Sequence, residues 1–223
     1  MQLRSDLENG VGRAAAAKLA LPSLREGFPQ DAAWATAVPV AFCADWQGRH
    51  PDPLRETEVR LLWSSDFLFI RFRARYRNIH VFPEAQTRRD QLWLRDVAEV
   101  FLQPDAGDPA HYREFEISPN GSWLDLDIHL DPGAGERHKS DLHCDLGSRV
   151  TVDVHARVWV AELALPIRCL TKQFRPGKSW RVNFFRVEGQ EPERFYSAWL
   201  PTHTPQPNFH VPEAFGELRF SSG

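Results

Sequence analysis

The sequence predicts an all-β protein, an antiparallel β-sandwich of about ten strands with few short helices. Two observations support this fold class. Short segments in which apolar and polar residues alternate recur along the chain, with Gly, Pro, Asn and Ser between them. No long segment has the 3.6-residue period of an amphipathic helix. With 223 residues and no internal repeat or linker, the chain is expected to form one domain.

The first thirty residues differ from the rest. Residues 1–30 are predicted to be an N-terminal extension and residues 31–223 the β-sandwich domain. Ala14 to Leu21 is apolar and compact enough for a short helix. Asp31 to Val38 predicts a helical turn with Trp34 pointing inward. The extension lacks the form of an export signal, because charged residues interrupt its apolar part.

Period-two alternation then marks the strands, in an order typical of immunoglobulin-like or jelly-roll-like sandwiches. The predicted strands are Glu58 to Trp63, Phe67 to Tyr76, Val97 to Leu102, Tyr112 to Ser118, Trp123 to Leu130, Val150 to Val154, Arg157 to Leu165, Trp180 to Glu188, Ser197 to Leu200 and Leu218 to Phe220. Asp131 to Gly147 is rich in Asp, His and Gly and is predicted to be a long loop.

Composition excludes several classes of protein. The net charge of −3 argues against a nucleic-acid binder or a protein of anionic membrane surfaces. No apolar run approaches the ~20 residues of a membrane span. Eight tryptophans and fifteen phenylalanines fit a sandwich core, a ligand platform or both. The three cysteines form no CxxC pair, so free buried thiols are expected.

The segment Leu92 to Pro104 predicts the central strand and a candidate site. Ala98, Val100 and Leu102 form a uniformly apolar face, whereas the other face has Glu99 between two apolar neighbours. A mid-strand glutamate needs compensation. Trp93 and Asp96 lie just before the strand, where they and Glu99 could line a polar and aromatic site. The alternative is a buried tryptophan, a turn aspartate and a glutamate paired with one of the many arginines.

No motif indicates catalysis. The chain contains no GxSxG, HExxH or phosphate-binding loop, and it is predicted not to be an enzyme. The carboxylate pairs Glu114/Glu116 and Asp125/Asp127 have a spacing that glycosidases use, but such pairs are common on solvated strand faces. Asp125, Asp127 and Asp131 are candidates for a calcium site, with a solvated acidic loop as the alternative. No cofactor is required.

Several segments together resemble the family 9 carbohydrate-binding modules, and more closely the free-standing bacterial proteins similar to them. They are QLWLRDVAEVFLQP (91–104), YREFEISPNGSWLDLDI (112–128), AELALP (161–166), RVNFFRVEG (181–189) and AWLPTHTPQPNFHVPEAFGELRF (198–220). The resemblance implies a β-sandwich without enzymatic activity that clamps a terminal sugar between two tryptophans. In those modules bound calcium is structural.

Carried over by position, the resemblance implies that Trp93 and Trp199 form the clamp and that Glu99 accepts hydrogen bonds from the sugar hydroxyls. Two flat rings can stack on both apolar faces of a pyranose. The further candidates for the site are polar side chains, namely Arg186, Arg113, Asn183 and His210.

Two other functions stay open at this point. One is a structural or protein-interaction domain whose pocket has degenerated. The other is a haem-binding domain of the same superfamily. Because Met1 is the sole methionine, haem would need two histidine ligands. The expected partner is a carbohydrate, with neither nucleic acid nor membrane involved.

Overall fold

The computed structural model describes residues 12–20, 24–105, 107–131 and 136–221. These residues form fifteen strands: β1 (Arg13–Lys18), β2 (Leu24–Arg25), β3 (Phe28–Pro29), β4 (Val40–Phe42), β5 (Thr57–Trp63), β6 (Phe67–Arg75), β7 (Val97–Gln103), β8 (His111–Ile117), β9 (Trp123–Asp131), β10 (Glu136–Asp141), β11 (Gly147–Asp153), β12 (Val158–Pro166), β13 (Trp180–Glu188), β14 (Phe195–Ala198) and β15 (Gly216–Phe220). One four-residue α-helix, α1 (Ile167–Leu170), and short 3₁₀ turns complete the described structure. No helix among these residues is long and apolar enough to cross a membrane.

Thirteen of the strands belong to one mixed sheet. Its order is β10-β9-β8-β7-β13-β15-β1-β5-β6-β12-β11, with β14 beside β13 and β4 beside β5. The β2–β3 hairpin stands apart. The all-β class with few short helices is therefore confirmed. The expectation of about ten antiparallel strands is corrected, because β1 pairs in parallel with both β15 and β5 and joins two antiparallel halves.

The two halves of the sheet pack face to face. Phe72 of β6 and Phe184 of β13 belong to different halves, and their ring centroids lie 6.2 Å apart. The main core between the halves also includes Ala98, Val100 and Leu102, the apolar face that alternation predicts for β7. Burying these side chains between two sheet faces is the usual source of stability in layered β proteins.

Each half also buries part of its outer face. On the β7–β13 half, Val97, Phe101 and Phe185 form a second apolar cluster with Phe209 and Phe215 from the loop before β15. We call this outer surface of β7, β8 and β13 the site face. The central strands are therefore covered on both sides, which explains why β7 is buried along its whole length.

On the other half, Trp34 is buried in a third cluster with Leu62 and Phe69. It lies in the 3₁₀ turn Asp31–Thr36, so the predicted inward tryptophan is confirmed.

Two local predictions are wrong. Residues 13–18 form strand β1 instead of part of a helix over Ala14 to Leu21, whose last residue lies outside the described part of the chain. Residues 13–18 pair with β15 on one side and β5 on the other, and this pairing outweighs their local helix propensity. Part of the predicted extension thus joins the sheet, while the domain boundary at residue 31 stays a prediction.

The predicted loop Asp131 to Gly147 contains strand β10, which pairs with β9 at the sheet edge. Its charged, exposed sequence ERHKSD lacks apolar alternation, as is common for edge strands.

The cysteines also differ from the expectation. Cys144 and Cys169 form a disulfide, with their Cα atoms 5.6 Å apart, and Cys43 is free. The Cα separation suits a disulfide, so the expectation of free thiols is wrong for this pair. A separation of 25 residues in sequence gives no sign that the fold brings them together.

Candidate functional site

A pocket of about 260 Å³ opens on the site face. Its floor comes from β7 and β8, and its walls come from the turn before β7, strand β10, strand β14 and the loop 200–215. The apolar lining consists of Trp93, Leu94, Phe101, Val187, Tyr196, Pro207 and Phe209. The polar lining consists of Glu99, Glu114, Lys139, Arg194, Asn208 and His210.

Trp93 forms one wall. It lies in the 3₁₀ turn Leu92–Leu94, which begins after Gln91 in the left-handed region at φ 57°. The Lys139 ammonium sits 4.7 Å from the centroid of the Trp93 ring, within cation–π range. The Arg194 guanidinium donates a hydrogen bond to the Trp93 carbonyl oxygen. Contacts with its ring and with its backbone therefore hold Trp93 in place. It lies in one pocket with Glu99, the residue with which the sequence groups it.

Phe209 lines the same pocket and is fixed by aromatic contacts. Its ring stacks on Phe185 with centroids 4.3 Å apart and an interplanar angle of 12°. Tyr196 meets Phe209 edge to face at 6.3 Å. Sequence reasoning missed both pocket residues because it searched for a second tryptophan. The signal available was the aromatic residue in PNFHVP, inside the last segment that resembles the family.

Glutamates form the floor of the pocket. Glu99 of β7 lies directly opposite Glu116 of β8, and Glu114 is two residues away on the same face. Glu99 and Glu114 line the pocket, and all three side chains are buried. Burial raises the pKa of Glu99 and Glu116 well above the ordinary value, and the neighbouring carboxylates raise it further. The alternative prediction for Glu99 is pairing with an arginine. Among the described residues, no arginine forms a direct salt bridge with Glu99.

His210 links the floor to the wall. Burial raises the pKa of Tyr112, and its hydroxyl shares a 2.7 Å hydrogen bond with Nδ1 of His210. Burial lowers the pKa of His210 to about 2, and the charges of Lys139 and Arg137 add to the shift. In the tautomer in which Nδ1 accepts from Tyr112, the neutral ring has its proton on Nε2, which faces a Glu114 oxygen at 3.9 Å. His210 can therefore present an N–H donor beside a carboxylate in the pocket.

Acidification from pH 7 to pH 5 is expected to remove about 2 kcal/mol of unfolding free energy through His210. The unfolded histidine titrates near 6.5, far above its folded pKa of about 2. The unfolded state therefore binds the proton first, and the stabilisation is full above pH 6.5 and falls as the pH drops. Urea unfolding of wild type and His210→Gln at both pH values measures this difference.

Wild type must be compared with His210→Gln because the buried glutamates change the unfolding free energy in the opposite direction. Their raised pKa values favour the folded state as the pH falls, and they are common to both proteins. If both proteins lose the same unfolding free energy between pH 7 and pH 5, the assignment of a buried neutral His210 is wrong.

The structure does not bring Trp199 to this pocket. Trp199 packs against the main core, where its ring centroid is 5.5 Å from that of Phe184. Side chains alternate along β13 and β14, so Trp199 lies beside Phe184 and away from the site face of Phe185. Asn183 is fully buried and donates to the backbone carbonyls of Leu200 and Ala214. It anchors the loop after β14 and does not line the pocket.

The two arginine candidates also lie elsewhere. Arg186 is 1% exposed and points into the main core, where it pairs with Glu188 and donates to the carbonyl oxygen of Arg75. Arg113 lies 3.7 Å from Asp127 on the opposite face of β8 from the glutamates. Arg194 is the arginine that lines the pocket.

Two of the acidic candidates for calcium, Asp125 and Asp127, already have basic or N–H partners. Asp125 accepts from Arg88 at 2.9 Å and from the backbone N–H of Cys144 at 2.6 Å. Asp127 lies 2.7 Å from His111, and a third candidate, Asp131, also makes an interaction with its surroundings. Calcium at these residues stays a prediction.

The chain is therefore an all-β, β-sandwich-like domain with an aromatic and acidic pocket on one sheet face. Residues 43–220 match the model of carbohydrate-binding family 9. The chain belongs to this family, as the resemblance of its segments predicts.

Individual relatives are distant. The chain is 26% identical over 179 residues to an extracellular protein of Arthroderma benhamiae, covering 75% of this chain and 80% of the relative. A Bacteroides uniformis protein, to which carbohydrate binding is ascribed, superposes with a TM-score of 0.73 at 15% identity, over 95% of this chain and 100% of that one.

Two structures of a family 9 module from Caldicellulosiruptor kristjanssonii share the fold. The complex with cellotriose has a TM-score of 0.64 at 12% identity and covers 94% of each chain. The complex with glucose has a TM-score of 0.59 at 13% identity, over 94% of this chain and 96% of that one.

Proposed function

We propose that the protein is a non-catalytic carbohydrate-binding module that holds one terminal sugar ring in the pocket beside Trp93. The observation on which this rests is the placement of aromatic walls over an acidic floor on one sheet face. A pyranose presents apolar C–H faces that stack on aromatic rings and an equatorial edge of hydroxyls that needs hydrogen-bond partners. This pocket offers both surfaces.

The second aromatic surface in this proposal is Phe209. It replaces Trp199, which packs in the main core. Glu99 and Glu114 would accept hydrogen bonds from hydroxyls, and charge-assisted bonds of this kind are strong in a partly dry site. Arg194 and Lys139 would supply the donors at the rim.

The size of the pocket favours a single ring. Pockets for drug-sized ligands occupy about 300–1,000 Å³, and this pocket has 260 Å³. A longer glycan would therefore place its end residue inside and leave the remainder in solvent. Family membership and the relatives bound to glucose and to cellotriose support a glucose-type end.

Titration calorimetry with glucose, cellotriose and a panel of other mono- and oligosaccharides tests the proposal. We expect binding to at least one sugar with a Kd between about 10 μM and 1 mM, the range that a small and partly polar pocket supports. The same mixtures should release no new reducing ends. Silence across a broad panel would favour the interaction-domain alternative, and release of reducing ends would show an enzyme.

A further inference from the structure

Three buried carboxylates converge beneath the sugar pocket. One carboxylate oxygen from each of Glu99, Glu114 and Glu116 lies within 4.8 Å of the other two. Glu116 is 0% exposed, and both of its oxygens lack a hydrogen-bond partner in the described chain. One oxygen of Glu99 and one of Glu114 are likewise buried without a partner. Buried carboxylates without partners are costly, so this arrangement needs an explanation.

Neighbouring cations do not satisfy the cluster. Lys139 and Arg194 are close enough to favour the ionised form of Glu99, but neither makes an ion pair with a floor glutamate within the described residues. Lys139 lies over the Trp93 ring, and Arg194 donates to a backbone carbonyl. The neutral His210 ring lies 3.9 Å from a Glu114 oxygen, beyond hydrogen-bond distance. The arrangement therefore leaves buried carboxyl oxygens without a cationic or hydrogen-bonding partner among the described residues.

We propose that Glu99, Glu114 and Glu116 bind a calcium ion at the floor of the pocket. Calcium takes carboxylate oxygens at about 2.3–2.6 Å, so two oxygens on one ion lie at most about 5 Å apart. The spread of 4.8 Å fits this limit. The two free oxygens of Glu116 also suit the bidentate contact that calcium accepts. Magnesium is a poorer fit, because it demands an octahedral shell and retains several waters.

Strand pairing makes the site rigid enough to be selective. Glu99 and Glu116 are a directly opposed pair on β7 and β8, and Glu114 follows along β8 at the next position on that face. All three positions lie on buried central strands, so strand pairing fixes their backbone positions and burial limits the rotamers open to their side chains. The remaining coordination positions face the pocket, since Glu99 and Glu114 line it.

Thermal unfolding of chelator-treated protein with calcium chloride alone tests the site. At a calcium concentration about a hundred times Kd, the wild-type Tm should rise by about 5–10 °C. In Glu116→Gln this rise should disappear. Without calcium, Glu116→Gln should have a Tm about 2–6 °C above wild type, because it removes a buried carboxyl group whose oxygens have no partner, and its amide can donate to a neighbouring carboxyl oxygen.

Glu162→Gln is the matched control. Glu162 is 3% exposed and lies on β12 of the other half, where it pairs with Arg71 and Arg149. The same substitution there should lower the Tm without calcium and leave the calcium-induced rise intact. A wild type without any calcium-dependent rise, or an equal rise in Glu116→Gln, would overturn the calcium site. No sugar is present in this experiment, so that result would leave the proposed carbohydrate binding untouched.

Discussion

Trp93→Ala should weaken sugar binding by about 30- to 300-fold, a loss of about 2–3.5 kcal/mol. Trp93 is the one tryptophan among the lining residues, and its removal takes away a ring on which a pyranose would stack. The rest of the pocket stays in place, because Trp93 lies in a short turn at the pocket rim and outside the central strands. Calorimetry with a sugar that binds wild type measures the change.

Trp199→Ala provides the contrast. Its ring packs against Phe184 in the main core, so the expected loss is about 2–3 kcal/mol of unfolding free energy. The affinity of the folded variant for sugar should stay within about twofold of wild type. If folded Trp199→Ala loses binding and Trp93→Ala keeps it, the pocket assignment is wrong.

Phe209→Ala tests the second aromatic residue that we propose stacks on the sugar. We expect a loss of affinity of about tenfold or more, because Phe209 lines the pocket and is held by the stacked Phe185 ring. Phe209→Tyr should bind nearly as wild type does, since it keeps the ring. If Phe209→Ala binds the sugar with wild-type affinity, Phe209 is not a stacking surface and Trp93 alone supplies the aromatic contact.

Arg186→Met should cost about 3–5 kcal/mol of unfolding free energy while leaving the sugar affinity of the folded protein unchanged. Arg186 is among the largest fully buried side chains and donates to Glu188, to Thr57 and to backbone carbonyls. Burial lowers its pKa, and the neighbouring Glu188 counters that shift, so the guanidinium and carboxylate depend on each other. Urea unfolding at pH 7 measures the loss.

Arg113→Met is the comparison for this variant. Its ion pair with Asp127 is longer, 3.7 Å, and lies nearer to solvent, so the expected loss is only about 1 kcal/mol. A stable Arg186→Met that loses sugar binding would instead assign Arg186 to the ligand, as the family resemblance implies.

Alternation along the chain was sufficient to predict the strands and the importance of β7. Ala98, Val100 and Leu102 enter the main core because period-two alternation places all three on one sheet face. Glu99 and Trp93 reach the pocket for an equally local reason, since one lies in mid-strand and the other at the strand entrance. The prediction failed for β1, whose partners β15 and β5 are distant in sequence, and for β10, an edge strand whose charged sequence lacks apolar alternation.

The second wall of the pocket shows this limit most clearly. Trp199 and Phe209 lie ten positions apart in one loop-rich segment, and both are aromatic residues suited to stacking on a sugar. Tertiary packing separates them, because Trp199 follows the Phe184 side of the sheet and Phe209 stacks on Phe185 of the opposite side. Neighbouring residues of β13 point in opposite directions, so one position in register decides which aromatic lines the pocket.

The sequence by itself determined the all-β class, the central strand and the family, because these follow from local periodicity and from motifs contiguous in the chain. Tertiary structure alone decided the parallel insertion of β1, the pocket contacts of Phe209 and His210 and the convergence of three glutamates from two strands. Each of these depends on strand register and loop packing between residues far apart in sequence. Such contacts arise from the summed burial of many side chains, which no local pattern records.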